Sequence, residues 1–215
     1  MSIVAYYGRF TPSQIEECAA TPEALSTGAI GHLAGAEIID IDRSYAPMAW
    51  LLSPCKRAED EHNALIMQEY FKEQHAPKPS LLSKVTGFFA KKPETIQEPQ
   101  PAKKIEELPL DPPLIAIEGR TEKRDERFDF GLGAAAVFSP EEVIVLNDAL
   151  ASLTKENLEQ HYNPEIMDEQ NIFPGQWLEE GRDLMETYVL PNFLQLQSFY
   201  SNAVKNNQAV LIWYI

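Results

Sequence analysis

Few of the reactive side chains in this sequence stand at spacings that chemistry uses. Glu59 and His62 are three apart in a helical pattern, the separation at which a carboxylate and an imidazole share a helix face in di-iron bundles. Such a centre needs a second Glu-x-x-His and two more glutamates. The chain has no second copy, so the pair reads as a solvated, charged helix face that complements the dipole. Phe130-Gly131-Leu132-Gly133-Ala134 opens like a phosphate-binding loop, but it lacks the third glycine and runs into the extended pattern Ala135-Ala136-Val137-Phe138 instead of a helix, which argues against dinucleotide binding. His32, His62, His75 and His161 are dispersed, and no His-Glu-x-x-His or Gly-x-Ser-x-Gly occurs. The acid pairs Asp168-Glu169 and Glu179-Glu180 could supply acid–base groups, yet neighbours on a helix do not face each other. These readings assign no catalytic residue, no metal ligand and no cofactor.

Charge points elsewhere. The chain has 33 acidic against 18 basic residues, a formal net charge of −15, which repels nucleic-acid backbones in the absence of a large basic patch. From Ser139 to Ile215 there are twelve acids and three bases, and this half favours a basic protein partner. The expected contacts are Asp168 and Glu169, with Glu179, Glu180 and Asp183 at the start of the last long helix. Acids at a helix start also favour the dipole and serve ordinary solubility. No stretch approaches the roughly 20 apolar residues that span a bilayer, no basic leader precedes the first apolar run, and Cys18 and Cys55 allow at most one disulfide. A cytoplasmic protein with reduced thiols and no membrane association is the expectation.

The elements that would position these groups centre on Tyr162 to Trp177, a long connection carrying Pro164, Pro174 and Gly175 together with Ile166, Met167, Ile172, Phe173 and Trp177. Its apolar content predicts an ordered loop packed on the core, with Trp177 as its anchor. Before it, the patterns predict a strand over 2–10 and a helix capped by Thr11 and Pro12. They also predict a second short helix from Thr21-Pro22 to Gly28, a loop to Gly35, and an extended passage over 38–41. Asp42 should cap a helix over 43–52, and a further helix over 58–75 carries an apolar stripe of Leu65, Ile66, Tyr70 and Phe71. Residues 76–113 hold eight of the sixteen prolines and many lysines. They read as an insertion or linker, of which residues 76–109 are dispensable for folding, with an apolar island at Leu81 to Phe89. A strand over 114–117, a charged turn over 119–127 and a strand over 135–138 follow. Helices then start at Ser139-Pro140 and Thr154, a long helix over 179–204 kinks at Pro191, and a terminal strand over 208–215 lies inside the sheet.

Several short motifs in order carry a resemblance: Ser139-Pro140-Glu141-Glu142-Val143, Tyr162-Asn163-Pro164-Glu165-Ile166-Met167-Asp168, Ile172-Phe173-Pro174, Trp177 and Ala209-Val210-Leu211-Ile212, with Asp40-Ile41-Asp42-Arg43-Ser44-Tyr45 and Leu51-Leu52 earlier. The chain resembles the YfbM-like family, bacterial proteins whose defining domain has no assigned function. The resemblance implies a single α+β domain over residues 1–215, a small mixed or antiparallel sheet with several packed helices, and no established reaction. Ala46, Ala49 and Ala136 stand where relatives often carry polar residues. Acidity and the bacterial affinity suggest an immunity- or antitoxin-like protein that binds and occludes a basic partner, such as a cognate secreted toxin. A small-molecule-binding protein or enzyme, and a housekeeping interaction protein, are the alternatives.

Overall fold

The computed structural model describes residues 3–20, 36–75, 111–130 and 132–215. The predicted helix over 21–28, its following loop and nearly all of the 76–113 segment lie outside them. Strand β1 (Ala5–Phe10) leads into α1 (Pro12–Ala20), where Thr11 and Gln14 cap each other: the Gln14 amide donates to Thr11 Oγ1 at 3.3 Å and the Thr11 amide to Gln14 Oε1 at 2.7 Å. Strand β2 (Glu37–Asp40), α2 (Tyr45–Leu52) and α3 (Pro54–His75) complete the N-terminal half. The second half runs through α4 (Pro112–Glu118), a 3-10 turn (Thr121–Lys123), β3 (Arg124–Asp129), β4 (Ala134–Phe138), α5 (Pro140–Ala151) and α6 (Lys155–Gln160). It then continues through α7 (Pro164–Glu169), α8 (Trp177–Leu184), a π turn (Met185–Val189), α9 (Leu190–Lys205) and β5 (Ala209–Tyr214).

The strands form one sheet in the order β2-β1-β5-β4-β3, with every neighbouring pair antiparallel. The α+β class therefore holds, and the terminal strand lies at the centre, all but its last residue buried. Register sorts the faces, because successive side chains point to opposite sides. Tyr7, Ile212 and Ala136 align across one face, and Gly8, Leu211 and Val137 across the other. The first face packs against α2, α4, α5 and α9 to make the main core. The second carries Phe10, Leu211, Trp213 and Phe128 with Ile15 and Cys18 of α1. Gly8 is required on it: a Cβ there would stand 2.4 Å from the Phe10 ring and 3.1 Å from that of Trp213.

Several local expectations change. Leu114–Ile117 is helix, because Asp111 accepts the Leu114 amide at 3.2 Å and Pro112 and Pro113 occupy the first turn, the position where a missing N–H costs nothing. The charged turn contains β3, whose pairing with β4 a polar sequence does not announce. Asp42 does not cap α2. It takes φ 50° and accepts the Tyr188 hydroxyl at 2.8 Å. Buried Ser44 precedes the helix and donates to the Ile41 carbonyl at 2.5 Å. Six of the eight α2 residues are buried, so this helix is apolar all round and not amphipathic. Helix α3 starts at Pro54, not Ala58, with Ser53 Oγ accepting the Lys56 amide at 2.9 Å.

Just before Pro191 the long helix widens into a π turn. Proline has no N–H for the carbonyl four residues back, and the π turn immediately precedes it. Side chains supply bonds to carbonyls here, Thr187 Oγ1 to Asp183 at 2.6 Å and Asn192 Nδ2 to Tyr188 at 3.0 Å.

Candidate functional site

The connector is ordered, as its apolar content requires. Asn163 caps α7 through a 3.2 Å bond from the Ile166 amide, and Pro164 sits in the first turn. Met167, Ile172 and Trp177 enter the main core. The Trp177 indole donates to the Ile172 carbonyl at 2.7 Å. Phe173 is followed by a cis peptide to Pro174, and the Arg43 guanidinium lies 3.8 Å from its ring centroid. Trp50 Nε1 donates to Gln170 Oε1 at 2.8 Å and so fastens the end of α7 to α2.

Between this connector and α3 lies a groove of about 630 Å³. Ala64, Leu65 and Ile166 are among its apolar walls, and Glu61 and Glu169 bring acids to it. Arg57 also lines it, but its Nη1 is committed to the Trp50 and Leu51 carbonyls, each at 2.9 Å. Burial and the nearby Arg57 charge both lower the pKa of His161. Leu65, Ile66 and Tyr70 of the α3 stripe stay out of the core, each at least half exposed.

Of the five residues expected to meet a partner, the structure places one in the groove, Glu169. Glu179, Glu180 and Asp183 are exposed on α8. Leu178 beside them is 61% exposed. Asp168 has another duty, since its two oxygens accept the Trp177 amide at 2.9 Å and the Leu178 amide at 3.0 Å. This caps α8, whose preceding residue Gln176 has φ 83° and offers no side-chain cap. The Leu178 and Trp177 amides hold the Asp168 carboxyl below the usual carboxylate range. Its contribution to stability is therefore present above the unfolded-state pKa, about 3.9, and is lost as pH falls through the lower folded value. Asparagine keeps one acceptor but not the charge. The urea midpoint of Asp168→Asn should fall less steeply than that of wild type on acidification below about pH 5, and parallel curves would show that the carboxylate is not what caps α8.

The residues that pattern reading missed share a cause. Trp50, Arg57, Gln160 and Gln170 come from four segments and meet only through packing. Arg57 looks like one more charge in a charged helix start, and no local signal marks it. Glu59 meets Lys56 at 3.3 Å, and among the described residues no three His, Cys, Asp or Glu side chains converge as a metal set. No described helix is long and apolar enough to cross a membrane.

Residues 96–213 match the family described as Domain of unknown function (DUF1877). The chain belongs to this family. The crystal structure of YfbM from Escherichia coli, itself a protein of unknown function, is similar over 99% of both chains, with a TM-score of 0.57 and 16% identity. The YfbM-like resemblance and the fold it implied are thereby upheld. No curated protein matches. This DUF1877 chain thus shares an architecture with YfbM, and its function rests on its own surface.

Proposed function

We propose that this protein binds a basic protein partner in the groove between α3 and the connector, and that it acts as an immunity- or antitoxin-like factor that occludes the partner's working surface. The observation that supports the reading is the groove itself, where Leu65 and Ile166 are exposed beside Glu61 and Glu169 on a chain of net charge −15. Exposed apolar side chains with charged neighbours are the composition of a docking surface: the apolar anchors supply affinity and the acids steer a cationic partner. Glu179, Glu180 and Asp183 extend the negative field without lining the groove.

The test is association kinetics with the product of the adjacent reading frame at low and high salt. Glu61→Lys/Glu169→Lys should slow association by about tenfold at low salt, where steering is strongest. Leu65→Ala should act mainly on dissociation. The partner's own activity should stop on binding. Unchanged rates in both variants would remove the groove from the interface. Slowing confined to Glu179→Lys/Glu180→Lys/Asp183→Lys would move the interface to α8.

A further inference from the structure

A second, smaller cleft lies where α4 ends over the sheet. Register places Arg124 of β3 opposite Ala136 of β4, and Ala136 opposite Ile212 of β5. Arg124, Ala136 and Ile212 therefore line up on the same side of the sheet as Tyr7. Above this row the backbone passes close at Gly119, which has φ 75° and whose Cβ, if present, would stand 3.0 Å from Ala136 Cβ. The small residues at 119 and 136 keep the space open. The result is a cavity of about 200 Å³ lined by Glu118, Arg120, Thr121, Arg124 and Tyr214, with Ala136 and Ile212 among its apolar wall.

Its charges are not spent on each other. In a chain with almost twice as many acids as bases, Arg124 makes no ion pair among the described residues. Arg120 meets only Glu122, at 3.2 Å and with both side chains well exposed, an arrangement that binds weakly. Glu118 is the opposite case. It is half-buried, burial raises its pKa, and the Lys56 charge opposes that shift. That lysine already contacts Glu59 and Asp60, each at 3.3 Å. Among the described residues the Glu118 carboxylate accepts no hydrogen bond. Its backbone carbonyl is the part that is satisfied, by the Tyr214 hydroxyl at 3.0 Å.

We infer that this cleft binds a small α-amino acid, with its carboxylate on Arg120 and Arg124 and its ammonium on Glu118. Guanidinium groups match a carboxylate in geometry as well as charge, and a desolvated carboxylate gains more from an ammonium than an exposed one does. The volume falls below the range of drug-sized pockets, which excludes nucleotides and large metabolites. This site does not depend on the groove or its partner.

Titration calorimetry of the full chain with glycine, L-alanine and L-serine, against acetate and methylamine, tests the inference. The amino acids should bind at least about tenfold more tightly than either single-charge probe. Arg124→Ala should weaken them by a similar factor while the melting temperature stays near that of wild type, as Arg124 is exposed. Glu118→Gln should do the same. If Glu118→Gln fails to fold, Arg124→Ala and Arg124→Lys decide the matter alone. Equal binding of acetate and the amino acids would make this an anion site and overturn the assignment, as would amino-acid binding that Arg124→Ala leaves intact, or no heat from any amino acid.

Discussion

Trp177→Ala is expected to lower the free energy of unfolding by about 3–5 kcal/mol, the usual cost of deleting a large aromatic from a core, with a fall in the urea midpoint at unchanged slope. Trp177 is 1% exposed and packs edge-on to Tyr162 at a centroid distance of 6.3 Å. Tyr162 in turn crosses α8 at Gly181, where a Cβ would lie 1.9 Å from its hydroxyl oxygen. The indole therefore holds three things at once: the end of the connector through Ile172, the first turn of α8, and the ring of Tyr162. Trp177→Phe restores most of the volume but leaves the Ile172 carbonyl without its 2.7 Å donor. It should cost about 1 kcal/mol, the net worth of one hydrogen bond, because the same carbonyl keeps the Gly175 amide at 2.9 Å. A Trp177→Ala protein that unfolds at the wild-type urea concentration would place this ring outside the core.

The second large effect is expected at the end of α4, where three tyrosines from distant parts of the chain satisfy three successive carbonyls. The Tyr200 hydroxyl donates to Ala116 at 2.9 Å, Tyr7 donates to Ile117, and Tyr214 donates to Glu118 at 3.0 Å. The last carbonyls of a helix have no partner within it, and here those of Ala116 and Ile117 are bonded in the buried interior, that of Glu118 at the part-buried edge of the cleft. Burial raises the pKa of all three phenols well above the usual value, so each remains a protonated donor at any physiological pH. Tyr200→Phe and Tyr7→Phe should each cost about 1–3 kcal/mol because each leaves a buried carbonyl unpaired. The double variant should depart from the sum, since both act on one short helix. Hydrogen exchange gives the local readout: α4 amides should lose protection before those of β5. Uniform loss of protection would mean that the tyrosines serve global packing and not this helix end.

The same arrangement explains how the two sites were hidden. Local chemistry is legible wherever a few adjacent residues decide the outcome. Ser139, Pro140 and Glu142 form a capping box, with the Ser139 amide donating to Glu142 at 3.0 Å and the Glu142 amide to Ser139 at 3.4 Å. Thr154 and Asn157 repeat the device. The run from Ala209 to Tyr214 is apolar on both faces, and a strand of that kind belongs in the middle of a sheet. The apolar payload of the connector likewise predicted an ordered loop with Trp177 at its core, and that is where Trp177 lies.

What the sequence by itself determined, then, was the class of fold, the starts of most helices, the central place of the last strand and the net negative field. The helix starts and the strand follow from capping and periodicity within a short window, the field follows from composition, and the class of fold is what the family resemblance implied. Tertiary structure alone decided the rest. Leu114 to Ile117 has the composition of a strand and becomes helix because Asp111 caps it and three remote tyrosines close it. The α3 stripe has the spacing of a core face and stays half exposed, since periodicity says which residues share a face but not what that face meets. Asp168 caps α8 from nine and ten residues away, a role no short window announces. Glu118, Arg120 and Arg124 become a cleft only because antiparallel register sets Arg124 beside Ala136 and the chain folds Gly119 over them. No window of sequence contains that information, because it resides in which strand lies next to which.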